Sequence, residues 1–516
     1  MSKRKMMKPV LFLILIAPFA LFAKEAQHEK LNVIFMIADD LGWMDVGFNG
    51  NKFVETPNLD KLASEGMVFT NGYASGPLCS PTRAAFHTGK SPATMGINVP
   101  VTKGLKGKTP GAYPMGGDKL KTKVGQRDIR HRLLPAYTNT GIDPQEVTIA
   151  DCLQSADYVT ASIGKWHMGL SHSDPKADPR EYGYDINIAG GDYHGPPSWF
   201  SPYRIHSLKN GPKGEHLTER LTREAINFME ENKDKPFFLY LPYYQVHSPH
   251  GAREEYIKKF DHKQTPDSKM NSIYAAMVMH LDESVGLIND YLKKSGLDKN
   301  TLLIFSSDNG PLVYQRAGNQ VLPRNTRLTF AEPLRGWKGS VYEAGTRVPY
   351  IFKLPGVIPA NSISQTPIIT HDLYATICEF TGVAVPEEQK VEGESLFPLL
   401  TQSKALQRTS LFWHNPKYSW SLNSDILWAD RPACAIRKGK YKLIYYFERK
   451  GERTLELYDL DNDQGETKNL VSDLPEKALE LETELLAWLD QTQAWKPIDN
   501  PDYDAKYDSG YIPKRH

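Results

Sequence analysis

The chain has 516 residues, 40% of them hydrophobic and 24% charged, and a formal net charge of +1. Such a length buries a large core and divides into two domains. The even charge balance excludes a global field that would select nucleic acid or a membrane surface.

Residues 1–23 carry Lys3, Arg4, Lys5 and Lys8, then an apolar run that ends at Ala23. This reads as a secretory signal peptide, too short and too one-sided for a membrane span. The absence of a cysteine near the cleavage site argues against a lipid anchor, so the expectation is a periplasmic or secreted protein with no membrane anchor after cleavage. Cys152, Cys378 and Cys434 fit no metal or disulfide spacing and are expected to be small buried residues.

Asn32-Val33-Ile34-Phe35-Met36-Ile37-Ala38 is a continuous apolar run, the pattern of a buried parallel strand. It ends in Asp39-Asp40-Leu41-Gly42, where open α/β sheets place ligands. Residues 58–65 form an amphipathic helix and 67–70 a strand. At Cys79-Ser80-Pro81-Thr82-Arg83, Ser80 is a good N-cap and Pro81 suits the first helical position. Cys79 then precedes a helix N-terminus, which favours a thiolate or a bound oxyanion. Arg83 adds a forked donor to the same anion, and Gly89 closes a short helix. Taken alone, such a cysteine is more often a small buried hydrophobe.

Residues 103–132 hold nine Lys or Arg against Asp118 and Asp128, with several glycines, so they read as a basic loop. Residues 148–153 are helical and 158–163 a strand, leading into Gly164-Lys165-Trp166-His167-Met168-Gly169. A Lys and a His two apart at a strand end project the same way; the plain alternative is a surface Lys beside a packed His. Residues 236–241 are a further buried strand, before His247-Ser248-Pro249-His250. The run Thr301-Leu302-Leu303-Ile304-Phe305-Ser306-Ser307 ends in Asp308-Asn309-Gly310. One acidic strand end is usually a turn or a helix cap. Two offer four oxygen ligands, which suits a hard cation, Ca²⁺ or Mg²⁺.

Strands alternating with helices predict an α/β domain over residues 31–400: a doubly wound, mixed, mostly parallel sheet flanked by helices. Residues 401–516 read as a smaller α+β domain. Its antiparallel strands fall at 435–446 and 456–460, and a helix at 475–488 has Leu479, Leu485 and Leu486 available for packing.

Cys79-Ser80-Pro81-Thr82-Arg83 followed by Thr88-Gly89 resembles the signature of the type I sulfatases, in the alkaline phosphatase superfamily. Gly164 to Gly169 resembles the second signature of that family. Arg335-Gly336-Trp337-Lys338-Gly339 with Tyr342 to Pro349 resembles a further segment, and residues 394–400 resemble the passage out of the catalytic domain. The resemblance implies that a sulfatase-maturing enzyme oxidises Cys79 to Cα-formylglycine, whose hydrate attacks sulfur. It implies one divalent cation, Ca²⁺ or Mg²⁺, held by Asp39, Asp40, Asp308 and Asn309 beside position 79. Lys165 and His167 would bind and polarise the hydrate, Arg83 would support the same anion, His247 would be catalytic with His250 behind it, and Lys338 would bind sulfate. Trp337 stands where the family usually has a small residue; it either lines the pocket or packs. The implied substrate is a sulfated carbohydrate, an algal polysaccharide or a glycosaminoglycan. Two alternatives stand beside this reading. A phosphatase or phosphonate-ester hydrolase would need a second set of His and Asp ligands that the sequence lacks, and Asn309 makes the cation site less negative. A silent carbohydrate-binding relative is disfavoured because every expected catalytic position is filled.

If the basic stretch grips further anionic groups of a polymer, neutralising Lys119, Lys121 and Lys123 will raise KM for a multiply sulfated oligosaccharide and leave turnover of a small aryl sulfate nearly unchanged. Steady-state kinetics on both substrates checks this, and equal losses on both would place the effect in folding instead.

Overall fold

Apolar residues on both faces of the first strand demand cover on both sides, and the computed structural model shows it. The model describes residues 30–101, 131–263, 270–314, 326–418, 431–448 and 454–507. Residues 1–23 and nearly all of the basic stretch lie outside this set. Eight strands form the main sheet in the order Ser362–Ser364, Met67–Phe69, Ile351–Lys353, Thr301–Ser307, Asn32–Ala38, Phe237–Pro242, Val159–Ile163, Ile186–Ile188. All pairings are parallel except the two made by Ile351–Lys353, so the sheet is mixed but mostly parallel, as expected.

Alternate residues of Asn32–Ala38 feed two apolar clusters. Ile34, Met36 and Ala38 pack with Leu59 and Leu62, with Leu221 and Phe228, and with Leu281 and Val285, from the helices Pro57–Ser64, Leu217–Glu231 and Ser272–Ser295. Val33, Phe35 and Ile37 pack on the other face with Ala84 and Phe86, Ile149 and Leu153, and Leu373 and Ile377, from Cys79–Thr88, Ile149–Gln154 and Asp372–Thr381. This is the doubly wound arrangement. In Ile149–Gln154, Thr148 and Asp151 form a reciprocal capping box, which accounts for the start of so short a helix.

The strands Ser410–Asn415, Ala433–Lys438, Tyr441–Tyr446 and Leu455–Asp459 make the C-terminal antiparallel sheet. One face takes the helix Pro475–Gln491, whose Ala478, Leu481, Leu485 and Leu489 recur at helical spacing against Cys434, Ile436, Leu443 and Leu457. Leu479, expected to pack, is 65% exposed because it lies off that stripe. The other face packs Trp413, Ala435 and Ile444 on Tyr73, Val341, Tyr342 and Ile369 from the part of the chain that holds the main sheet. A buried ion network reinforces this contact. Lys442 Nζ lies 2.9 Å from Glu343 and 3.0 Å from Glu466, and Glu343 also holds Arg347 at 2.6 Å and accepts from Tyr73 Oη at 2.8 Å. The segment that carries Lys338 is thereby anchored to the C-terminal sheet.

Leu485→Ala removes a buried leucine from this stripe and should lower unfolding free energy by about 2–5 kcal/mol. Leu479→Ala should stay within about 0.5 kcal/mol of wild type. Denaturant titration of both variants checks the assignment of the buried face.

Candidate active site

The site lies at the carboxyl ends of two adjoining strands. Ala38 pairs with Ser307, and Asp308 N–H donates to Ala38 O at 3.1 Å, so both acidic ends sit level. Asp40 takes a left-handed backbone conformation, φ 65°, which turns its N–H onto Asp308 Oδ1 at 3.2 Å. The turn is held from below by Asp45, a buried carboxyl that accepts from Gly42 N–H at 2.8 Å, Tyr274 Oη at 2.7 Å and Thr329 Oγ1 at 2.5 Å. Burial pushes Asp45 up to about 6 against those three bonds. Asp45 was not anticipated; its only sequence signal is a third acidic residue close behind Asp39 and Asp40.

The helix Cys79–Thr88 starts earlier than the Ser80 cap predicts, with Leu78 as an N-cap that makes no side-chain bond. Ser80 serves as a tether instead: its Oγ donates to His167 O at 2.9 Å and accepts from Val101 N–H at 3.0 Å. Gly89 closes the helix at φ 67°, as expected. Cys79 is 1% exposed. Its Sγ donates to Asp39 Oδ1 at 3.5 Å and accepts from Lys338 Nζ at 3.3 Å. Burial pushes the thiol up to about 12, although Lys165 and Lys338 pull the other way. Desolvation thus opposes the thiolate form that a helix terminus favours.

Arg83 points the same way as Cys79. Its Nε and Nη2 donate to Asp308 Oδ2 at 2.9 and 2.7 Å, and Nη1 donates to Lys165 O at 2.8 Å. Lys165 Nζ is hydrogen-bonded to Asp39 Oδ2, and Lys338 Nζ to Asp40 Oδ1. Asn309 Nδ2 donates to Asp40 Oδ1 at 2.8 Å. Burial alone would raise Asp40, but Lys338, His247 and Lys165 outweigh it and hold the carboxyl well below its usual range.

Lys165 and His167 both reach the site, though not from a strand end. The strand stops at Ile163, and a tight loop follows in which His167 has φ 63°. Gly164, at φ 131°, has no room for a side chain: a Cβ there would lie 2.0 Å from Pro242 O. Both ring nitrogens of His167 are buried without a hydrogen-bond partner. His247 Nδ1 donates to Ser248 O at 2.7 Å, leaving Nε2 3.8 Å from Asp40 Oδ2. Burial, then Lys165 for His167 and Lys338 for His247, lowers both imidazoles, so both are neutral. His250 is buried behind them, its ring 6.4 Å from that of Tyr274. Trp337 packs with Tyr314, Val313 and Leu334 in a small apolar cluster. Cys152, Cys378 and Cys434 are free and buried, as expected.

One ligand atom from each of Asp39, Asp40, Cys79 and His247 lies within 4.8 Å of the others. His247 was not in the predicted ligand set. Asp308 and Asn309 border this group through their bonds to Asp40. Asp40 Oδ2 and Asn309 Oδ1 are buried acceptors with no hydrogen-bond partner. Hard oxygens, two of them unsatisfied and buried, fit a hard divalent cation.

An open α/β sheet whose acidic strand ends are closed over by an arginine and two lysines around one buried side chain defines a hydrolase of anionic esters. The chain belongs to the Sulfatase family, whose model matches residues 31–383. It is a type I sulfatase of the alkaline phosphatase superfamily, a sulfuric ester hydrolase. Residues 336–494 match the model described as N-sulphoglucosamine sulphohydrolase, C-terminal. A sulfatase of Formosa agariphila is 30% identical over 95% of either chain. The N-acetylgalactosamine-6-sulfatase of Mus musculus is 28% identical, covering 78% of this chain and 72% of its own. The crystal structure of Ps i-CgsB in complex with k-i-k-neocarrahexaose superposes with a TM-score of 0.69 at 27% identity, covering 94% of this chain and 100% of its own.

Arg83→Leu strands a fully buried Asp308 and should cost about 3–5 kcal/mol of stability. Replacing both partners with leucine should recover a large part of that loss, because no unpaired charge then remains. Denaturant titration of the single and double variants checks the coupling.

Proposed function

We propose that this chain hydrolyses sulfate esters of carbohydrates, with a formylglycine made from Cys79 as nucleophile and one divalent cation, Ca²⁺ or Mg²⁺. The observation that carries this reading is the state of Cys79. Its Sγ is buried between Asp39 Oδ1 and Lys338 Nζ, and burial pushes the thiol up, so charged groups that suit a reacting oxygen surround a poor thiol nucleophile. Its Sγ stands where the aldehyde hydrate oxygen would lie.

Asp39, Asp40, Asp308 and Asn309, with the side chain at position 79, would hold the cation. The cation would neutralise charge on the sulfuryl oxygens, and the hydrate would supply the attacking oxygen. The residues do the rest. Asp39, Asp40 and Asp308 oppose Arg83, Lys165 and Lys338, so the inner charges sum to zero. A bound dication leaves +2, which matches the sulfate dianion released. Lys165 and Lys338 draw the ester to position 79, with Lys338 Nζ 3.3 Å from Sγ. Arg83 fixes Asp308, which accepts a proton from the attacking hydroxyl. Burial disfavours the charge on Lys338, but Asp40 more than compensates and keeps it protonated. Lys338 is thus the proton donor available to the leaving oxygen, while neutral His247, its Nδ1–H spent on Ser248 O, presents an unprotonated Nε2 beside Asp40. His167, neutral and unpartnered, is the base available at position 79.

The carbohydrate assignment is supported by the k-i-k-neocarrahexaose held in the Ps i-CgsB complex and by the N-acetylgalactosamine for which the mouse relative is named. Export through the 1–23 segment and maturation by a formylglycine-generating enzyme complete the reading; no helix among the described residues is long and apolar enough to cross a membrane. A two-metal phosphatase is disfavoured. In the other His and carboxylate group among the described residues, His216 Nδ1 accepts from Thr218 N–H, His280 Nε2 accepts from Arg253 N–H, and Glu219 binds the Arg253 guanidinium, which leaves His216 Nε2 without a partner but neutralises the one carboxylate.

Cys79→Ala should reduce sulfate release from sulfated oligosaccharides to background, and mass spectrometry of the native peptide should show an aldehyde at position 79. Substantial activity in the alanine variant would overturn the assignment. Chelation should abolish turnover, and adding back Ca²⁺ or Mg²⁺ should restore it.

A further inference from the structure

The edge strand Ile186–Ile188 runs parallel to its neighbour, so the loop after it emerges at the same end of the sheet as Asp39 and Asp308. That loop contains Gly191-Asp192-Tyr193-His194-Gly195. It is pinned to the two site histidines. Gly191 O accepts from His167 N–H at 2.9 Å. A Cβ on Gly195 would lie 2.4 Å from Ser248 O and 2.7 Å from His247 Nδ1, so only glycine lets the loop lie this close. On its outer side, Tyr193 Oη and His206 Nδ1 are 3.2 Å apart, and His206 N–H donates to the same Oη at 3.1 Å.

Between these anchors stands His194. It is exposed, yet its ring centroid is 6.0 Å from that of His247 and 6.3 Å from that of His167. The side chains deeper in the site, Arg83, Lys165, Lys338 and the acidic cluster, are all buried and are committed to one another around Cys79. A ring nitrogen of His247 lies within 4.8 Å of Cys79 Sγ, so the side of the site that carries His247 is a route by which the alcohol of an ester seated there can reach solvent. His194 is an exposed side chain that flanks that exit. Neutral imidazole both donates and accepts, which matches a sugar hydroxyl and offers nothing comparable to an aryl ring bearing no hydroxyl.

We propose that His194 hydrogen-bonds the sugar hydroxyl adjoining the scissile sulfate and so selects carbohydrate esters over simple aryl esters. The inference rests on the reading of Cys79 as the sulfatase centre. It assigns a selecting role to a residue that none of the sequence motifs includes.

The test compares wild type, His194→Ala and His194→Gln on two probes, a sulfated carrageenan-type hexasaccharide and 4-nitrophenyl sulfate. Loss of one neutral hydrogen bond should lower the ratio of kcat/KM for sugar over aryl ester about tenfold in His194→Ala, chiefly through KM. His194→Gln, which keeps a donor and an acceptor, should recover part of the ratio. A sugar probe lacking the adjoining hydroxyl should be penalised in wild type and no longer penalised in His194→Ala. An unchanged ratio, or equal losses on both probes, overturns the inference while leaving the sulfatase reading intact. Wild-type protein, supplied with Ca²⁺ or Mg²⁺, that releases sulfate from neither probe overturns the proposed carbohydrate-ester reading of the Cys79 site, and this inference with it.

Discussion

Three carboxylates are forced together by strand register. Ala38 opposite Ser307 sets Asp39, Asp40 and Asp308 at one level, with no solvent to screen them. Like charges at this distance in a dry interior are tolerable only if every neighbouring element brings compensation. The helix Cys79–Thr88 brings Arg83 to Asp308, the loop after Val159–Ile163 brings Lys165 to Asp39, and the segment before Glu343 brings Lys338 to Asp40. The balance is complete within the protein, so a divalent cation adds to it rather than repairing it.

A second layer holds these charges in place, because each cation is itself positioned by something more distant. Lys165 O is gripped by Arg83, and His167 O by Ser80 Oγ, so helix and loop are stitched at two points. Lys338 N–H donates to Pro311 O at 2.9 Å, just past the Asp308-Asn309 turn. Beyond it, Glu343 is clamped by Lys442, Arg347 and Tyr73. The C-terminal sheet is therefore more than an appended module. Its Lys442 is the far end of a chain of contacts that runs to the groups around Cys79. Asp45 plays the matching part beneath Asp40, trading an unfavourable buried charge for three hydrogen bonds.

The fold was legible wherever one local signal sufficed. Unbroken apolar runs marked the central strands, and Gly89 marked the end of the helix Cys79–Thr88. Motif resemblance brought together residues that no local signal could join, and the structure does gather Asp39, Asp40, Cys79, Arg83, Lys165, His167, His247, Asp308, Asn309 and Lys338. What failed was whatever depends on tertiary context. Ser80 has the side chain of a cap, but its hydroxyl is taken by His167 and Val101. Leu479 is apolar, but it lies off the stripe defined by Leu481 and Leu485. His194 and Asp45 carry no periodic signal at all. Their place follows only from which loops the sheet brings to one end.

The reach of these contacts also governs how the chain becomes active. Asp40 meets Asp308 across 268 positions, Asp39 meets Lys165 across 126, and Asp40 meets Lys338 across 298. Closing loops of that length delays the reward of each contact until most of the chain has collapsed. During synthesis the Asp39-Asp40 pair emerges long before either lysine. By the time Asp308 is made, its partner Arg83 and the partner of Asp39, Lys165, are already in the chain, and only Lys338 is still to come. No fragment that stops before residue 338 holds the full set of counter-charges, so the complete centre requires the chain through Lys338.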